Sequence, residues 1–287
     1  MAGPLTPQQI STFIRDGFVR LEAAFSRALA EECCQLLWVA TGLDPNDRSG
    51  WTTPMIRLPH SGAEPFVRAA TTPRLLAAFD QLVGRGRWHT PTDLGTFPVR
   101  FPSDEVPAQA GWHIDSSYPV GDVSYLNLWS RKRALLMLFF FTDVGLDDAP
   151  SRIYIGSHLD IPAVLLSAGP EGMSVHRLMG LIPRVHEREI ALATGNAGDV
   201  YLCHPFLVHA ASWPHRGQMP RFIAQPRLDP IAPLQLARAI GDYSPVEIAV
   251  RVGLGLYPEP ILSAPSSPSR QSPTPRGRAR HPVHRGS

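Results

Sequence analysis

The segment ALLMLFFF, residues 134–141, is the longest strongly apolar run in this chain of 287 residues, and similar short segments lie on both sides of it. These segments are rich in β-branched and aromatic residues and are separated by proline, glycine and aspartate. Many short strands with such turn residues are typical of a sandwich or barrel rather than of alternating strands and helices. We therefore predict a mainly β jelly roll with flanking helices, whose strands cover residues 94–101, 123–130, 134–142, 152–156, 190–193, 199–203, 206–211 and 220–227.

Capping patterns predict the flanking helices. Thr6-Pro7-Gln8-Gln9 combines a capping hydroxyl, a proline at the first helical position and a glutamine three residues after the cap, so a helix should begin there and end near Gly17. Ser244-Pro245-Val246-Glu247 is another capping box and predicts a helix to about Gly253. Further helices are predicted over residues 26–42, with Leu29, Cys33, Leu36 and Leu37 on one face, and over residues 73–83.

The composition of the sequence predicts the domain boundaries. We expect one domain over residues 1–262, with helices in 6–90, a jelly-roll core over 94–230 and C-terminal helices in 231–262. Within it, residues 43–66 should form loops at or near the mouth of a pocket, and the insert 160–184 should be mostly helical or irregular. Residues 263–287 are mostly Ser, Pro, Arg and Gly with almost nothing to bury, so this basic tail is predicted to be disordered.

Charge and composition exclude several classes of protein. The tail carries five arginines and no acid, so the formal charge of +2 leaves the rest of the chain at about −3, which does not indicate nucleic-acid binding. No apolar run approaches the ~20 residues that span a bilayer, and the N-terminus lacks the pattern of a signal peptide. Cys33, Cys34 and Cys203 form neither a disulfide framework nor a Cys-x-x-Cys site. We expect a cytoplasmic monomer or homodimer that binds a small molecule and no membrane.

The pattern that indicates chemistry is Gly111-Trp112-His113-Ile114-Asp115. In an extended segment, residues two apart project to the same side, so His113 and Asp115 could bind one metal ion. A three-residue pattern of this kind arises often by chance and is weak evidence alone.

A second segment strengthens this hypothesis. It runs GDVYLCHPFLVHAA over residues 198–211 and is followed by Arg221, twelve residues after His209. A non-haem iron oxygenase needs two imidazoles and one carboxylate on one face of the metal, and His113, Asp115 and either His204 or His209 would complete that set. Arginine pairs bidentately with carboxylate and stays charged, so Arg221, on a strand predicted to lie next to that of His209, could hold the distal carboxylate of a keto acid.

These residues resemble the phytanoyl-CoA dioxygenase family of Fe(II)/2-oxoglutarate-dependent oxygenases, over roughly residues 6–230. The resemblance rests on the opening segment 8–21, on Trp112-His113-Ile114-Asp115, on a Gly-Ser-His strand end at 156–158, and on the Gly-Asp to His-Pro-x-x-x-His segment at 198–209. It implies a double-stranded β-helix, iron bound by His113, Asp115 and His209, and 2-oxoglutarate held by Arg221.

The resemblance also separates candidates from one another. The family pattern uses the later histidine, which leaves His204 as a core histidine bonded to the backbone, and His158 is interpreted as structural as well. Arg227 is a second candidate anchor for the keto acid. Ala211 departs from the small hydroxyl residue that commonly lies two residues after the metal histidine.

The function implied is hydroxylation of a small organic substrate, with 2-oxoglutarate and O2 as cosubstrates and succinate and CO2 as products. Asp115 favours hydroxylation because related halogenases lack this carboxylate. The substrate could be an acyl-CoA, an amino-acid derivative or a secondary metabolite. Two alternatives are a non-catalytic binding protein that retains the metal residues and a zinc hydrolase on the same triad. The aromatic residues Trp112, Trp129 and 139–141 could line an apolar cavity or belong to the core.

Overall fold

A computed structural model describes residues 3–106, 111–238 and 242–256. The helices are α1 (Pro7–Asp16), α2 (Arg27–Thr41), α3 (Glu64–Ala70), α4 (Pro73–Val83), α5 (Ile161–Ser167), α6 (Val175–Gly180) and α7 (Pro245–Gly253). The strands are β1 (Phe18–Leu21), β2 (Met55–Leu58), β3 (Phe97–Arg100), β4 (Tyr118–Val120), β5 (Val123–Leu126), β6 (Leu135–Phe140), β7 (Ser151–Tyr154), β8 (Met173–Ser174), β9 (Ile190–Ala193), β10 (Val200–Cys203), β11 (His209–Ala210), β12 (Ile223–Ala224) and β13 (Arg227–Leu228).

The apolar run 134–141 contains the central strand β6. The main antiparallel sheet has the order β1-β10-β6-β12, and β13 also pairs with β6. All six residues of β6 are buried, because its two faces pack into different parts of the core. Leu135, Met137 and Phe139 pack with the helices. The alternate residues, Leu136, Leu138 and Phe140, face a second sheet of order β11-β7-β9. The continuous apolar run therefore marks a strand that is covered on both faces.

Local capping explains why the helices begin where the sequence predicts. The Thr6 side chain accepts a hydrogen bond from the Gln9 backbone N–H while the Gln9 side chain accepts one from the Thr6 N–H, and α1 ends at Gly17 with φ of 87°. The Ser244 and Glu247 pair forms the same reciprocal cap on α7. The four predicted helices, α1, α2, α4 and α7, are all present. Their bounds lie within one residue of the capping residues.

Other local predictions need correction. Residues 43–66 are not only loops, because β2 forms there by pairing with β3. The insert 160–184 is mostly helical or irregular as predicted, with α5 and α6, and it also contributes β8 to a sheet of order β4-β5-β8. Leu36 is 39% exposed and does not share the buried face of α2. The predicted tail, 263–287, lies outside the described residues. Within the described ranges, no helix is long and apolar enough to cross a membrane.

Candidate metal and cosubstrate site

An antiparallel backbone pair brings His113 and His209 together. The His113 N–H donates to the His209 carbonyl at 2.9 Å, and the His209 N–H donates to the His113 carbonyl at 3.0 Å. Directly opposed residues of such a pair place their side chains on the same face, and the two ring centroids are 4.4 Å apart. His209 begins β11 and is paired with Ile153 of β7, so its backbone is held from both sides.

Contacts with backbone carbonyls determine which nitrogen of each imidazole could bind a metal ion. His113 Nδ1 lies 3.0 Å from the Gly111 carbonyl oxygen, and His209 Nδ1 lies 3.1 Å from the Leu207 carbonyl oxygen. A carbonyl only accepts, so each Nδ1 carries the proton and each Nε2 has a free lone pair. Burial, with a contribution from neighbouring His113, lowers the pKa of His209 to about 4, against the opposing effect of Asp115. In both imidazoles the Nδ1 contact leaves Nε2 as the atom that could bind a metal.

Asp115 supplies the carboxylate between the two rings. Its Oδ1 is 3.8 Å from His113 Nε2 and 4.0 Å from His209 Nε2. Ile114 is 2% exposed and points the other way, as the predicted alternation requires. His113 and Asp115 project to one side as predicted. The segment is not a regular strand, because His113 pairs with His209 only at an isolated bridge.

The geometry suits one divalent cation. One ligand atom from each of His113, Asp115 and His209 lies within 4.8 Å of the others. Bonds of about 2.1 Å at right angles would separate ligand atoms by about 3 Å, so the three side chains need to close by about an ångström to bind the ion. Two imidazoles and one carboxylate on one face leave the opposite positions of an octahedral ion open.

Arg133 contacts the other carboxylate oxygen and was not identified from the sequence. Its Nη1 lies 3.2 Å from Asp115 Oδ2, and its Nε and Nη2 donate to the Ser116 carbonyl at 3.3 and 3.0 Å. Burial raises the pKa of Asp115, but Arg133, His209 and His113 together lower it below its ordinary value. Arg133 therefore keeps the carboxylate ionised and turns Oδ1 towards the imidazoles.

Arg221 is buried at the same cavity, but its neighbour differs from the prediction. It is 3% exposed, and its Nη1 donates to the Ala149 carbonyl. Its backbone pairs with Arg100, not with the segment that contains His209. Burial and nearby Arg100 lower the pKa of Arg221 to about 9, so the guanidinium remains charged near neutral pH.

The other candidate residues have structural roles. His204 and His158 are both 0% exposed, and their Nε2 atoms bond to the carbonyls of Val246 at 3.2 Å and Ile14 at 3.0 Å. The interpretation of both as backbone-bonded core histidines agrees with these contacts. Arg227 lines the cavity, but its Nε is 2.7 Å from Asp229 Oδ1. The cysteines 33, 34 and 203 are free thiols.

A cavity of about 1020 Å³ opens onto the triad and Arg221. Among the described residues that line it, none is a phenylalanine, tryptophan or tyrosine, and residues 139–141 are buried in the core instead. Trp112 stacks on Tyr154 with ring centroids 3.6 Å apart, so the apolar aromatic lining considered above is not formed. Hydroxyl groups are supplied by Thr90, Thr92, Thr96, Ser116, Ser124 and Ser151.

Comparison with known proteins identifies the fold. No protein-family model and no curated protein matches the sequence. The structure is similar to SnoN, a non-haem α-ketoglutarate-dependent epimerase from nogalamycin biosynthesis, with a TM-score of 0.54 and 20% identity over 76% of this chain and 80% of SnoN.

Two further solved structures show the same likeness. EctD from S. alaskensis, with 2-oxoglutarate and 5-hydroxyectoine, has a TM-score of 0.53 and 21% identity over 80% of this chain and 77% of EctD. HygX from Streptomyces hygroscopicus, with nickel, 2-oxoglutarate and hygromycin B, has a TM-score of 0.51 and 19% identity over 80% of this chain and 88% of HygX. The predicted double-stranded β-helix is confirmed.

Proposed function

We propose that this protein is an Fe(II)/2-oxoglutarate-dependent oxygenase that hydroxylates a small polar molecule. The observation that carries the proposal is the cluster of His113, Asp115 and His209, with both Nε2 atoms and one carboxylate oxygen directed at a common point. A buried arginine, Arg221, borders the same cavity, as the distal carboxylate of a keto acid requires. The similar structures of SnoN with Fe3+ and α-ketoglutarate and of HygX with nickel and 2-oxoglutarate support the same metal and cosubstrate.

Each residue has a distinct part in this proposal. His113 and His209 would bind Fe(II) through Nε2, and Asp115 would bind it through Oδ1 while Arg133 retains Oδ2. When bound, iron and 2-oxoglutarate supply the oxidation, in which O2 and the keto acid give succinate, CO2 and an oxygen atom for the substrate. Arg221 would hold the distal carboxylate and so orient the keto acid. The carboxylate of Asp115 favours hydroxylation over halogenation.

The cavity lining favours a hydrophilic substrate. Its threonines and serines, together with Arg57 and the imidazoles of His60 and His89, provide donors and acceptors around the triad. An acyl chain offers no hydrogen-bond partner to these groups, whereas a polar substrate could pair with them. We therefore favour an amino-acid derivative or a polar secondary metabolite over an acyl-CoA.

Several finer assignments form part of the proposal. Membership of the phytanoyl-CoA dioxygenase family is supported by the motif at 112–115 and by the segment 198–209. A single oxygenase domain over residues 1–262 is supported by the continuous core that joins the helices and the sheet. A cytoplasmic location and a monomeric or homodimeric state stay predictions.

The test is oxygen-dependent formation of succinate. The protein is loaded with Fe(II) without oxygen, mixed with 2-oxoglutarate and a library of polar metabolites, and then exposed to O2. We expect succinate in the wild type, an increase with the true substrate together with a hydroxylated product, and no succinate above background in Asp115→Ala. Absence of iron binding and turnover would favour the non-catalytic alternative, and zinc-dependent hydrolysis would favour the hydrolase.

A further inference from the structure

Arg100 is a buried cation without an acceptor. It is 1% exposed, and none of its three guanidinium nitrogens has a hydrogen-bond partner among the described residues. It nevertheless borders the cavity that contains the triad. Burying a charged group without compensation is strongly unfavourable, so this position calls for an anion.

The backbone places Arg100 beside Arg221. The Arg100 N–H donates to the Arg221 carbonyl at 3.1 Å, and the Arg221 N–H donates to the Arg100 carbonyl at 2.8 Å. Residues directly opposed in such an antiparallel pair project their side chains to the same face. The Nε of Arg221 also lacks an acceptor within the described part of the chain. Two guanidinium groups therefore offer donors side by side at one end of the cavity.

The surrounding charges leave room for one negative charge. Asp148 is the acidic side chain that acts on Arg221, and it raises the pKa of Arg221 against burial and Arg100. Burial lowers the pKa of His215 to about 4, with Arg221 and Arg100 contributing, so this imidazole is neutral near pH 7. The group of Arg100, Arg221 and Asp148 thus has one uncompensated positive charge, which a single carboxylate would neutralise.

We propose that Arg100 and Arg221 together form the binding site for the distal carboxylate of the keto-acid cosubstrate. Each guanidinium would donate to the carboxylate, so Arg100 would be a second determinant of selectivity for a dicarboxylic keto acid. This inference rests on the proposed function. It goes beyond the single arginine that the motif predicts.

Binding to an inert metal form tests the inference without turnover. Affinities of Co(II)-loaded protein for 2-oxoglutarate and for 2-oxopentanoate are measured by calorimetry without oxygen. The two acids have the same chain length, and only the first has a distal carboxylate. The ratio of the two affinities should fall by roughly 10- to 150-fold in Arg100→Met, the range for a hydrogen bond to a charged group. Binding of 2-oxopentanoate should be unchanged.

A second measurement separates binding from a structural role. Metal-free Arg100→Met should unfold at a higher temperature than the wild type, because the variant lacks the unpaired buried cation. A lower temperature together with an unchanged ratio would overturn the inference. The control is Arg188→Met, which removes an ion-paired, partly buried arginine that does not line the cavity and should keep the wild-type ratio. Arg100→Gln gives the same comparison if Arg100→Met does not fold.

The outcomes distinguish the two proposals. If the affinity ratio depends on Arg221 but is unchanged in the folded Arg100 variants, the role of Arg100 is wrong and the oxygenase proposal stands. If the Co(II)-loaded wild type binds neither keto acid, the proposed function is wrong, and so is the carboxylate site of Arg100 and Arg221.

Discussion

Replacing His158 with glutamine should make the protein less sensitive to mild acid. His158 is fully buried against His204, with ring centroids 4.8 Å apart, and its Nε2 contacts the Ile14 carbonyl of α1. Burial lowers the pKa of His158 to about 4, although the bond to Ile14 acts in the opposite direction. A glutamine can still donate to the Ile14 carbonyl but cannot become charged.

The magnitude follows from proton linkage. The folded state keeps His158 neutral down to about pH 4, whereas the unfolded chain takes up a proton near pH 6.5. The stability that depends on neutral His158 is therefore fully present above pH 6.5 and is lost as the pH falls towards 4. Between pH 7 and pH 5 this loss is about 2 kcal/mol for one histidine.

Urea denaturation at the two pH values measures this effect. The wild type should lose stability between pH 7 and pH 5, and His158→Gln should lose about 2 kcal/mol less. His176→Gln, at an exposed position, is the control and should keep the wild-type difference. If His158→Gln shows the same difference as the wild type, the interpretation of His158 as a neutral core histidine is refuted.

Two further predictions concern the backbone around α1 and the support of the metal site. Gly17→Ala should reduce stability in urea denaturation by more than Gly42→Ala. Both glycines have positive φ, which costs about 1–2 kcal/mol for alanine. A Cβ at Gly17 would also lie 2.5 Å from His158 Nδ1, whereas no atom lies within 4 Å of a Cβ at Gly42. Equal losses of stability in the two variants would contradict the close packing at Gly17. Arg133→Met should lower succinate formation by about 10- to 100-fold by releasing Asp115, while Arg227→Met should not, and equal rates in the two variants would contradict the role of Arg133.

Features with a local cause were predictable from the sequence. The cap of α1 needs only Thr6, Pro7 and Gln9, and the side-by-side placement of His113 and Asp115 follows from their spacing. The central strand could be found because the run 134–141 is too apolar to face water on either side. Each of these features can be recognised from residues that lie within a few positions of one another in the sequence.

Features with a distant cause were missed. β8 is two residues long and exists because it pairs with β5, not because of its composition. Arg133 contacts Asp115 because the chain between them folds back, and no regular sequence spacing predicts that contact. Arg100 pairs with Arg221 at an isolated bridge between distant segments. Arginine is by far the commonest charged residue of the chain, so no local pattern distinguished Arg100 from the others.

The most direct test of the central claim is an anomalous difference map, recorded at the iron absorption edge, from crystals soaked with Fe(II) and 2-oxoglutarate without oxygen. The proposal predicts one peak in contact with His113 Nε2, Asp115 Oδ1 and His209 Nε2. The distal carboxylate of the keto acid should lie against Arg221 and Arg100. Iron bound at His204 or His158, or a keto acid held by Arg227 instead, would contradict the proposed site.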